Sequence, residues 1–290
     1  MAASGNYRIG SGKDFRKIDM TLTNRMSRLV GRFANTRFPY WLQTLINRVY
    51  VRLLRVDLVE FDPPEVYPTL NALFGRRPRK LRDCNSGTDA LIAPCDAEIS
   101  GYGRLRGNSL LQVKGIDYSA RDLLTEHSQH VDRVVDGAYI TFYLSPGMYH
   151  GYHAPATFHV ERLIHGPGTL WPVNSMAMRT VPGLFAKNER VILEGRRLSG
   201  QCFWMVFVGA TNVGSITVDF EPSLQTNTGS LEPRVFDYPA KHTVNKGAYL
   251  GRFLMGSSVL LLAESQRHPP TLLGMSRVQV GDPLPWPASL

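Results

Sequence analysis

The apolar stretch Cys202-Phe203-Trp204-Met205-Val206-Phe207-Val208-Gly209-Ala210 decides the fold class, together with a second apolar run at Val259 to Ala263. Both are much shorter than the roughly 18 uninterrupted apolar residues that a transmembrane helix needs. Their length suits strands buried inside a globular protein.

Short β-rich runs recur from about residue 84 onward, separated by Gly, Pro, Asn and Asp. They are Ala90 to Ala93, Leu110 to Lys114, Tyr139 to Leu144, Thr157 to Leu163, Arg190 to Leu193, Gln201 to Val208, Ser215 to Phe220 and Ser257 to Ala263. Ala120 to Glu126 is predicted to be helical. This pattern of short strands and turns predicts an α+β fold that is predominantly β, built as a sandwich or barrel-like domain.

The net charge of +9 is concentrated near the N-terminus. Residues 1 to 82 contain 16 Lys or Arg and 6 Asp or Glu, whereas residues 83 to 290 contain 17 and 18. A nucleic-acid enzyme more often spreads basic residues around its cleft, so this local excess argues against nucleic acid and indicates an acidic surface or an anionic membrane. A solvated basic helix is the alternative.

Two amphipathic helices are predicted in this basic segment, one on each side of Phe38-Pro39. One face of the first helix gathers Leu22, Met26, Leu29, Val30 and Phe33. One face of the second gathers Leu42, Leu45, Ile46, Val49 and Leu53. Cationic amphipathic helices can lie in a membrane interface with their arginines near lipid phosphates. The apolar faces could equally pack on the rest of the protein.

These patterns divide the chain into residues 1–60, a membrane-associating segment of basic helices, and residues 61–290, a β-rich domain. No run is long enough for a transmembrane helix, and Met1 to Tyr7 is uncharged and lacks the apolar core of a signal peptide. The three cysteines are scattered and indicate neither a disulfide framework nor a zinc site, which fits a reducing compartment.

Four short elements carry residues that could do chemistry. They are Pro94-Cys95-Asp96, the histidine loop from Tyr143 to Pro155 with His150 and His153, Asn188-Glu189-Arg190, and Gly256-Ser257-Ser258 before a predicted strand. Asp, His and Ser can form a unit in which the acid orients the imidazole and the imidazole deprotonates the hydroxyl. No serine lies in the G-x-S-x-G elbow of an ordinary esterase.

Metal binding is a weaker interpretation of the histidines. His150 and His153 lie three residues apart, as do His127 and His130. Neither pair has a third ligand that the sequence identifies, so no metal site is predicted. We interpret His127 and His130 as ordinary surface or core histidines.

The order of these elements resembles that of the phosphatidylserine decarboxylase family over about residues 70 to 264. The shared strings are Pro94 to Asp96, Leu111 to Tyr118, the histidine loop, Asn188 to Arg190, Val208 to Ala210, Val213 to Ile216, Lys246-Gly247 and Gly256 to Ser258. Each string is common by itself, whereas the ordered set is specific.

The resemblance implies a proenzyme that cleaves itself between Gly256 and Ser257. Ser257 would become a pyruvoyl group, the covalent cofactor, and the products would be chains of residues 1–256 and 257–290. The family aspartate and second loop histidine that assist the serine correspond to Asp96 and His153. His153 would deprotonate the Ser257 hydroxyl, and Asp96 would fix the tautomer of His153.

The resemblance also implies a reaction, the decarboxylation of phosphatidylserine to phosphatidylethanolamine and CO2. The substrate amine would form a Schiff base with the pyruvoyl ketone, which accepts the electrons of the breaking bond. His150 corresponds to the family residue that positions the substrate for decarboxylation, or it protonates Cα. For Lys114 and Asn188-Glu189-Arg190, a structural role is favoured over a catalytic one.

Departures from the family pattern lie beside the predicted site. They are Met148 for the usual Asp, Ala97 for the usual Gly, Ala248-Tyr249 for an acidic pair, and Leu73-Phe74-Gly75-Arg76 for F-F-x-R. Because these changes leave the substrate open, two alternatives stand beside the lipid decarboxylase. One is a decarboxylase of a free amino acid such as tryptophan, and the other is a lipid-binding homologue that does not cleave itself.

The expected partners follow from the same resemblance. They are phosphatidylserine, an anionic membrane surface, and the chain's own cleaved α and β products. Family members are often dimers, so a homodimer is also considered. We expect the protein to lie peripherally on the cytoplasmic side of the cell membrane.

Overall fold

The structure is a computed structural model of the 290-residue chain. It describes residues 29–84, 90–113, 116–173, 175–210, 215–224, 226–254, 257–264 and 275–285. The fold is α+β and predominantly β, as the sequence predicts, with helices at the N-terminal side of the described chain. The first half of the first predicted amphipathic helix, from Leu22 to Arg28, lies outside the described residues.

The helices are short apart from the second. Their bounds are 29–35 (α1), Tyr40–Leu53 (α2), Leu70–Phe74 (α3), Ala120–Leu124 (α4), Ser175–Thr180 (α5) and Leu184–Lys187 (α6), with 3₁₀ turns at Pro64–Val66 and Val131–Val134. The strands are Ala97–Arg104 (β1), Ser109–Val113 (β2), Ile116–Ser119 (β3), Ala138–Leu144 (β4), Gly151–His153 (β5), Phe158–Gly166 (β6), Arg190–Arg197 (β7), Cys202–Val208 (β8), Ser215–Val218 (β9), Arg234–Val244 (β10), Tyr249–Leu254 (β11), Ser257–Ala263 (β12) and Arg277–Val278 (β13).

Eight strands form one large antiparallel sheet in the order β10-β6-β7-β8-β12-β4-β1-β13. The two apolar runs of the sequence are its central neighbours, β8 and β12. In β12, Leu260 pairs with Val206 of β8 on one side and with Thr141 of β4 on the other. A three-stranded sheet in the order β5-β11-β9 and the β2–β3 ladder complete the strands.

The large sheet is buried on both faces, which explains why its central strands are apolar without alternation. Successive side chains of a strand point to opposite faces. Phe203, Met205 and Phe207 belong to the core that includes residues of the small sheet, whereas Trp204 and Val206 belong to the core shared with α4, α5 and α6. The molecule is therefore layered as small sheet, large sheet and helices.

The strands that the sequence failed to predict lie mostly at the margins of the sheets. β10 is an edge strand, largely exposed, with Pro239 inside the register break between Asp237 and His242. An exposed edge strand needs no apolar run, so it leaves little pattern in the sequence. The strand predicted at Ala90 to Ala93 is wrong, because only an isolated bridge joins Ile92 to Pro283.

Helix α2 is amphipathic as predicted, but it turns its polar side toward the protein. Asn47 is 0% exposed and donates from Nδ2 to the carbonyls of Pro64 and Tyr67 at 2.8 and 2.9 Å. On the other side, Trp41 and Leu53 are 68% and 75% exposed. Leu45, Val49 and Leu53 of the predicted stripe are therefore exposed, whereas Leu42 and Ile46 are half-buried. In the part of the chain that the structure covers, no helix is long and apolar enough to span a membrane.

The contact between the two sheets predicts a large loss of stability on truncation of Phe207. Its ring stacks on Tyr152 of β5, with centroids 4.1 Å apart, and contacts the ring of Phe253 of β11 at 6.3 Å. We expect Phe207→Ala to lower the free energy of unfolding by about 3–5 kcal/mol, because the cavity opens between two sheets that cannot close over it. Denaturant unfolding measures this, with the exposed Leu198→Ala as control. A loss as small as that of the control would contradict this packing.

Candidate active site

The histidine loop and the predicted cleavage link connect the same two sheets side by side. The chain leaves the large sheet at Leu144 and enters the small sheet at Gly151, and it returns between Leu254 and Ser257. Ser257 pairs with Leu144 in the large sheet, and Arg252 pairs with Gly151 in the small one. Both connections are thus bracketed by the same two ladder pairs, which brings the predicted serine position close to the loop. Gly256 and the side chain of Ser257 lie outside the described residues.

His153, the last residue of β5, is held as a neutral imidazole with a defined tautomer. Its Nδ1 donates to the carbonyl oxygen of Gly247 at 2.9 Å, and its Nε2 accepts from the hydroxyl of Tyr149 at 3.1 Å. A carbonyl can only accept, so the ring proton is on Nδ1 and the lone pair is on Nε2. Burial lowers the pKa of His153, although the hydrogen bond to Gly247 acts in the opposite direction. The ring is therefore built to receive a proton at Nε2.

In the structure, the side chain of Asp96 contacts Arg82 and the Val280 backbone instead of His153. The carboxylate is bound in bidentate fashion by the guanidinium of Arg82, and its Oδ1 also accepts from the backbone N–H of Val280 at 2.9 Å. Gly247 rather than Asp96 fixes the tautomer of His153. A backbone carbonyl can take this role because it lies directly against the ring, whereas the carboxylate is engaged by an arginine.

A cavity of about 380 Å³ joins these groups. Its walls include Arg82 and Val280, the two partners of Asp96, together with His153, Tyr149 and Gly247. His153 therefore borders this cavity directly, and Asp96 is linked to it through Arg82 and Val280.

His150 is fully buried and is not among the residues that line this cavity. It is 0% exposed, its Nδ1 donates to the carbonyl of Met148 at 2.8 Å, and its ring centroid lies 4.0 Å from that of Phe74. Burial lowers its pKa to about 3. Its Nε2 is buried and has no hydrogen-bond partner in the described part of the chain. Such an unmet acceptor is uncommon in a protein interior and needs a reason.

The Asn188-Glu189-Arg190 string has structural partners. Asn188 donates to the carbonyls of Trp171 and Gly209, both at 2.8 Å. Glu189 accepts from His165 Nε2 at 2.8 Å, and Arg190 binds the carbonyls that end α4. These contacts hold loops together, which agrees with the structural role favoured from sequence. Lys114 lies outside the described residues.

One group of side chains has the composition of a metal site. The ligand atoms of His130, Glu161 and Cys202 lie within 4.8 Å of one another. Arg196 already binds two of the three, because it donates to Glu161 Oε1 at 2.6 Å and to His130 Nε2 at 3.0 Å. Its positive charge opposes a second cation, so we interpret the cluster as an ion pair.

Sequence reasoning missed Tyr149, Arg82 and Gly247. Tyr149 stands beside His150 in the histidine loop and could have been suspected on that ground. Arg82 and Gly247 reach the site only through folding, since Gly247 is 94 residues from the histidine that it binds. Lys246-Gly247 is one of the strings shared with the family, but the sequence assigns Gly247 no role, and Arg82 lies outside those strings.

Comparison with known proteins supplies the family. A sequence model described as phosphatidylserine decarboxylase matches residues 70–284. The chain belongs to the phosphatidylserine decarboxylase family. A phosphatidylserine decarboxylase proenzyme of Helicobacter pylori strain J99 is 37% identical over 246 residues, which cover 85% of this chain and 91% of that protein.

Two further members of the phosphatidylserine decarboxylase family agree with this placement, and both carry the name phosphatidylserine decarboxylase proenzyme. The one from Anaeromyxobacter sp. strain K is 40% identical over 90% of this chain and 93% of its own length. The one from Campylobacter jejuni is 34% identical over 84% and 92%. The residues matched by the family model include Asp96, His150, His153 and Ser257 and begin at α3.

The buried neutral state of His150 predicts acid sensitivity. Its pKa is about 3 in the folded chain and about 6.5 when unfolded, so the folded chain binds fewer protons in between. The stabilising contribution is complete above about pH 6.5 and is lost as the pH falls toward 3. We expect the free energy of unfolding to fall by about 2 kcal/mol through His150 when the pH is lowered from about 7 to 5.

Denaturant titrations at both pH values test this in the wild type, in His150→Gln and in a control, His159→Gln. The wild type and the control should lose the same amount, and His150→Gln should lose about 2 kcal/mol less. Equal losses in all three would show that folding does not lower the pKa of His150.

Proposed function

We propose that this chain is a proenzyme that cleaves itself between Gly256 and Ser257 and then works as a pyruvoyl-dependent phosphatidylserine decarboxylase. One observation carries the proposal. The family match runs over residues 70–284 and includes both histidines and the Gly256-Ser257 bond. The chain is accordingly a carboxy-lyase that converts phosphatidylserine into phosphatidylethanolamine and CO2. A free amino acid such as tryptophan is not favoured as the substrate, because the relatives are named for the lipid.

The residues around the cleavage position fit a pyruvoyl group made from Ser257. The hydroxyl of Ser258, the next residue, is buried without a partner among the described residues, as is His150 Nε2 in the neighbouring loop. Unmet polar atoms of this kind suit a ketone and a polar substrate better than an apolar core. When present, a pyruvoyl group supplies the electron sink that loss of CO2 from an α-amino acid requires.

In self-cleavage, we assign the role of base to His153. Its lone pair is on Nε2, and its neutral state leaves it ready to accept the proton of the Ser257 hydroxyl. Tyr149 donates to that same nitrogen, so this hydrogen bond must open before the proton can be transferred. Asp96, tied to Arg82, contributes its charge near His153 rather than a direct hydrogen bond. His150 is assigned to the substrate.

For the N-terminal segment, we propose contact with an anionic membrane surface on the cytoplasmic side. The outward face of α1 and α2 presents Leu29, Phe33, Trp41, Leu45 and Leu53, all exposed. Arginines at positions 32, 37, 48, 52 and 55 accompany this apolar face. An apolar face with a basic margin suits the boundary between acyl chains and lipid phosphates. In this division, residues 1–60 attach to the membrane and residues 61–290 form the catalytic domain. A homodimer stays a prediction.

Self-cleavage predicts two chains in the purified protein. Intact-mass spectrometry should find residues 1–256 and residues 257–290, the latter with a blocked N-terminus. Ser257→Ala should remain a single chain, and His153→Ala should slow cleavage by about 100-fold or more, because it removes the base. His159→Ala serves as the histidine control.

A single unmodified chain from folded wild-type protein would support the non-cleaving, lipid-binding homologue instead. Cleavage at the same bond in Ser257→Ala would also refute the assignment. Within the same series, His150→Ala should be cleaved normally but should release no CO2 from phosphatidylserine vesicles.

The exposed face of α2 predicts binding to vesicles. The triple variant Trp41→Ser/Leu45→Ser/Leu53→Ser should bind phosphatidylserine vesicles about 100-fold more weakly, because it removes most of the apolar area available for insertion. Leu198→Ser/Leu231→Ser, which changes exposed apolar residues elsewhere, is the control. Vesicle sedimentation measures binding, and activity on a short-chain soluble substrate should be retained. Unchanged sedimentation of the triple variant would contradict the membrane assignment.

A further inference from the structure

Arg76 is a buried arginine whose contacts lead to His150. It follows α3 directly and is 2% exposed. Its Nη2 donates to the carbonyls of Gly147 at 2.9 Å and Met148 at 3.1 Å. The Met148 carbonyl is also the acceptor for His150 Nδ1, at 2.8 Å. One carbonyl oxygen is therefore shared between the arginine and the histidine ring.

The other contacts of Arg76 do not compensate for the burial of its positive charge. Its Nε and Nη1 are buried without hydrogen-bond partners, and no carboxylate of the described residues forms an ion pair with it. The ring of Phe61, 4.7 Å from the guanidinium carbon, offsets part of this cost. Burial lowers the pKa of Arg76. A charge kept in such a place is unfavourable for stability and needs another explanation.

The shared carbonyl fixes the state of the His150 ring. Since Met148 O can only accept, Nδ1 must carry a proton, and in the neutral ring this leaves the lone pair on Nε2. With two donors on it, this carbonyl cannot rotate away without breaking both hydrogen bonds. Phe74, two residues before Arg76, closes one side of the ring at 4.0 Å. The same short segment therefore sets both the position and the tautomer of His150.

The electrostatic surroundings act in the same direction. Burial is the main cause of the lowered pKa of His150. The positive charge of Arg76 near the ring lowers this pKa further. Tyr50 of α2 contacts Phe74 through its ring, and Arg252 of β11 donates to the Gly75 carbonyl. Asp57 and Asp96 act on Arg76 electrostatically without forming an ion pair with it. The charge that acts on His150 itself is that of Arg76.

We propose that Arg76 is the positioning residue for His150: through the Met148 carbonyl it holds the imidazole with its proton on Nδ1 and offers Nε2 as an acceptor to the substrate. This inference rests on the role of His150 in the proposed function. It adds that His150 enters the reaction as a neutral acceptor rather than as a cation. Arg76 itself does not touch the reacting atoms.

The first test reads the ring directly and needs no activity. In Ser257→Ala protein labelled with ¹⁵N-histidine, the His150 signals are assigned by their loss in His150→Gln. At about pH 6 they should show a neutral ring protonated on Nδ1. Adding Arg76→Met should shift them toward a mixture of tautomers or a charged ring, and Arg76→Lys should shift them less. A wild-type ring protonated on Nε2 or on both nitrogens would overturn the proposal, even if every arginine variant failed to fold.

The second test uses self-cleaved enzyme and the pH dependence of CO2 release. Arg76→Met should cleave itself to completion, since His153 is not in contact with it, and should lose kcat by about 10-fold or more at pH 6 and less at pH 8, with KM changed less than about 2-fold. Arg76→Lys should recover part of the loss. The neighbouring exposed Arg79→Met should resemble the wild type.

The two tests separate the possible failures. Equal loss at both pH values in the Met and Lys variants, with unchanged histidine signals, would mean that Arg76 only supports the loop, which overturns the inference. A wild-type protein that releases no CO2 would overturn the proposed function instead, and the histidine signals would still decide the tautomer.

Discussion

The site depends on one constraint, that two connections between the sheets run side by side. β4 and β12 are neighbours in the large sheet, and β5 and β11 are neighbours in the small one. The chain that joins β4 to β5 must therefore lie next to the chain that joins β11 to β12. The first connection carries His150 and leads into β5, which ends at His153, and the second contains Gly256. The pairing of the strands therefore holds the two connections close together, so their side chains can react without a dedicated loop to join them.

The histidines of this junction are buried, and burial decides whether they can be charged. Both histidines are kept neutral by burial, and each donates its Nδ1 proton to a backbone carbonyl, Gly247 for His153 and Met148 for His150. The two rings differ in the partner of Nε2. In His153 this nitrogen accepts a hydrogen bond from Tyr149, whereas in His150 it has no partner among the described residues. The same side chain thus presents two different functions within one loop.

The sequence predicted the parts of this arrangement that leave a local pattern. β8 and β12 are apolar on both faces because layers cover both, and α2 has a helical period. The histidine loop was visible because its residues are consecutive. The roles of Arg82, Arg76 and Gly247 were not, since they depend on contacts between distant segments. Nor could a helical period reveal which side of α2 faces inward, because the buried side is polar and held by Asn47.

β12 lies at the centre of the large sheet, so cleavage just before it would place a new chain terminus inside that sheet. The short chain would begin in the middle of an eight-stranded sheet, hydrogen-bonded on both flanks to β4 and β8, and would return to the edge as β13 beside β1. Its release would require tearing the sheet open along its centre. Proteolysis at that point would therefore change the covalent structure of the molecule and leave its noncovalent architecture whole, so that two polypeptides would behave as one folding unit.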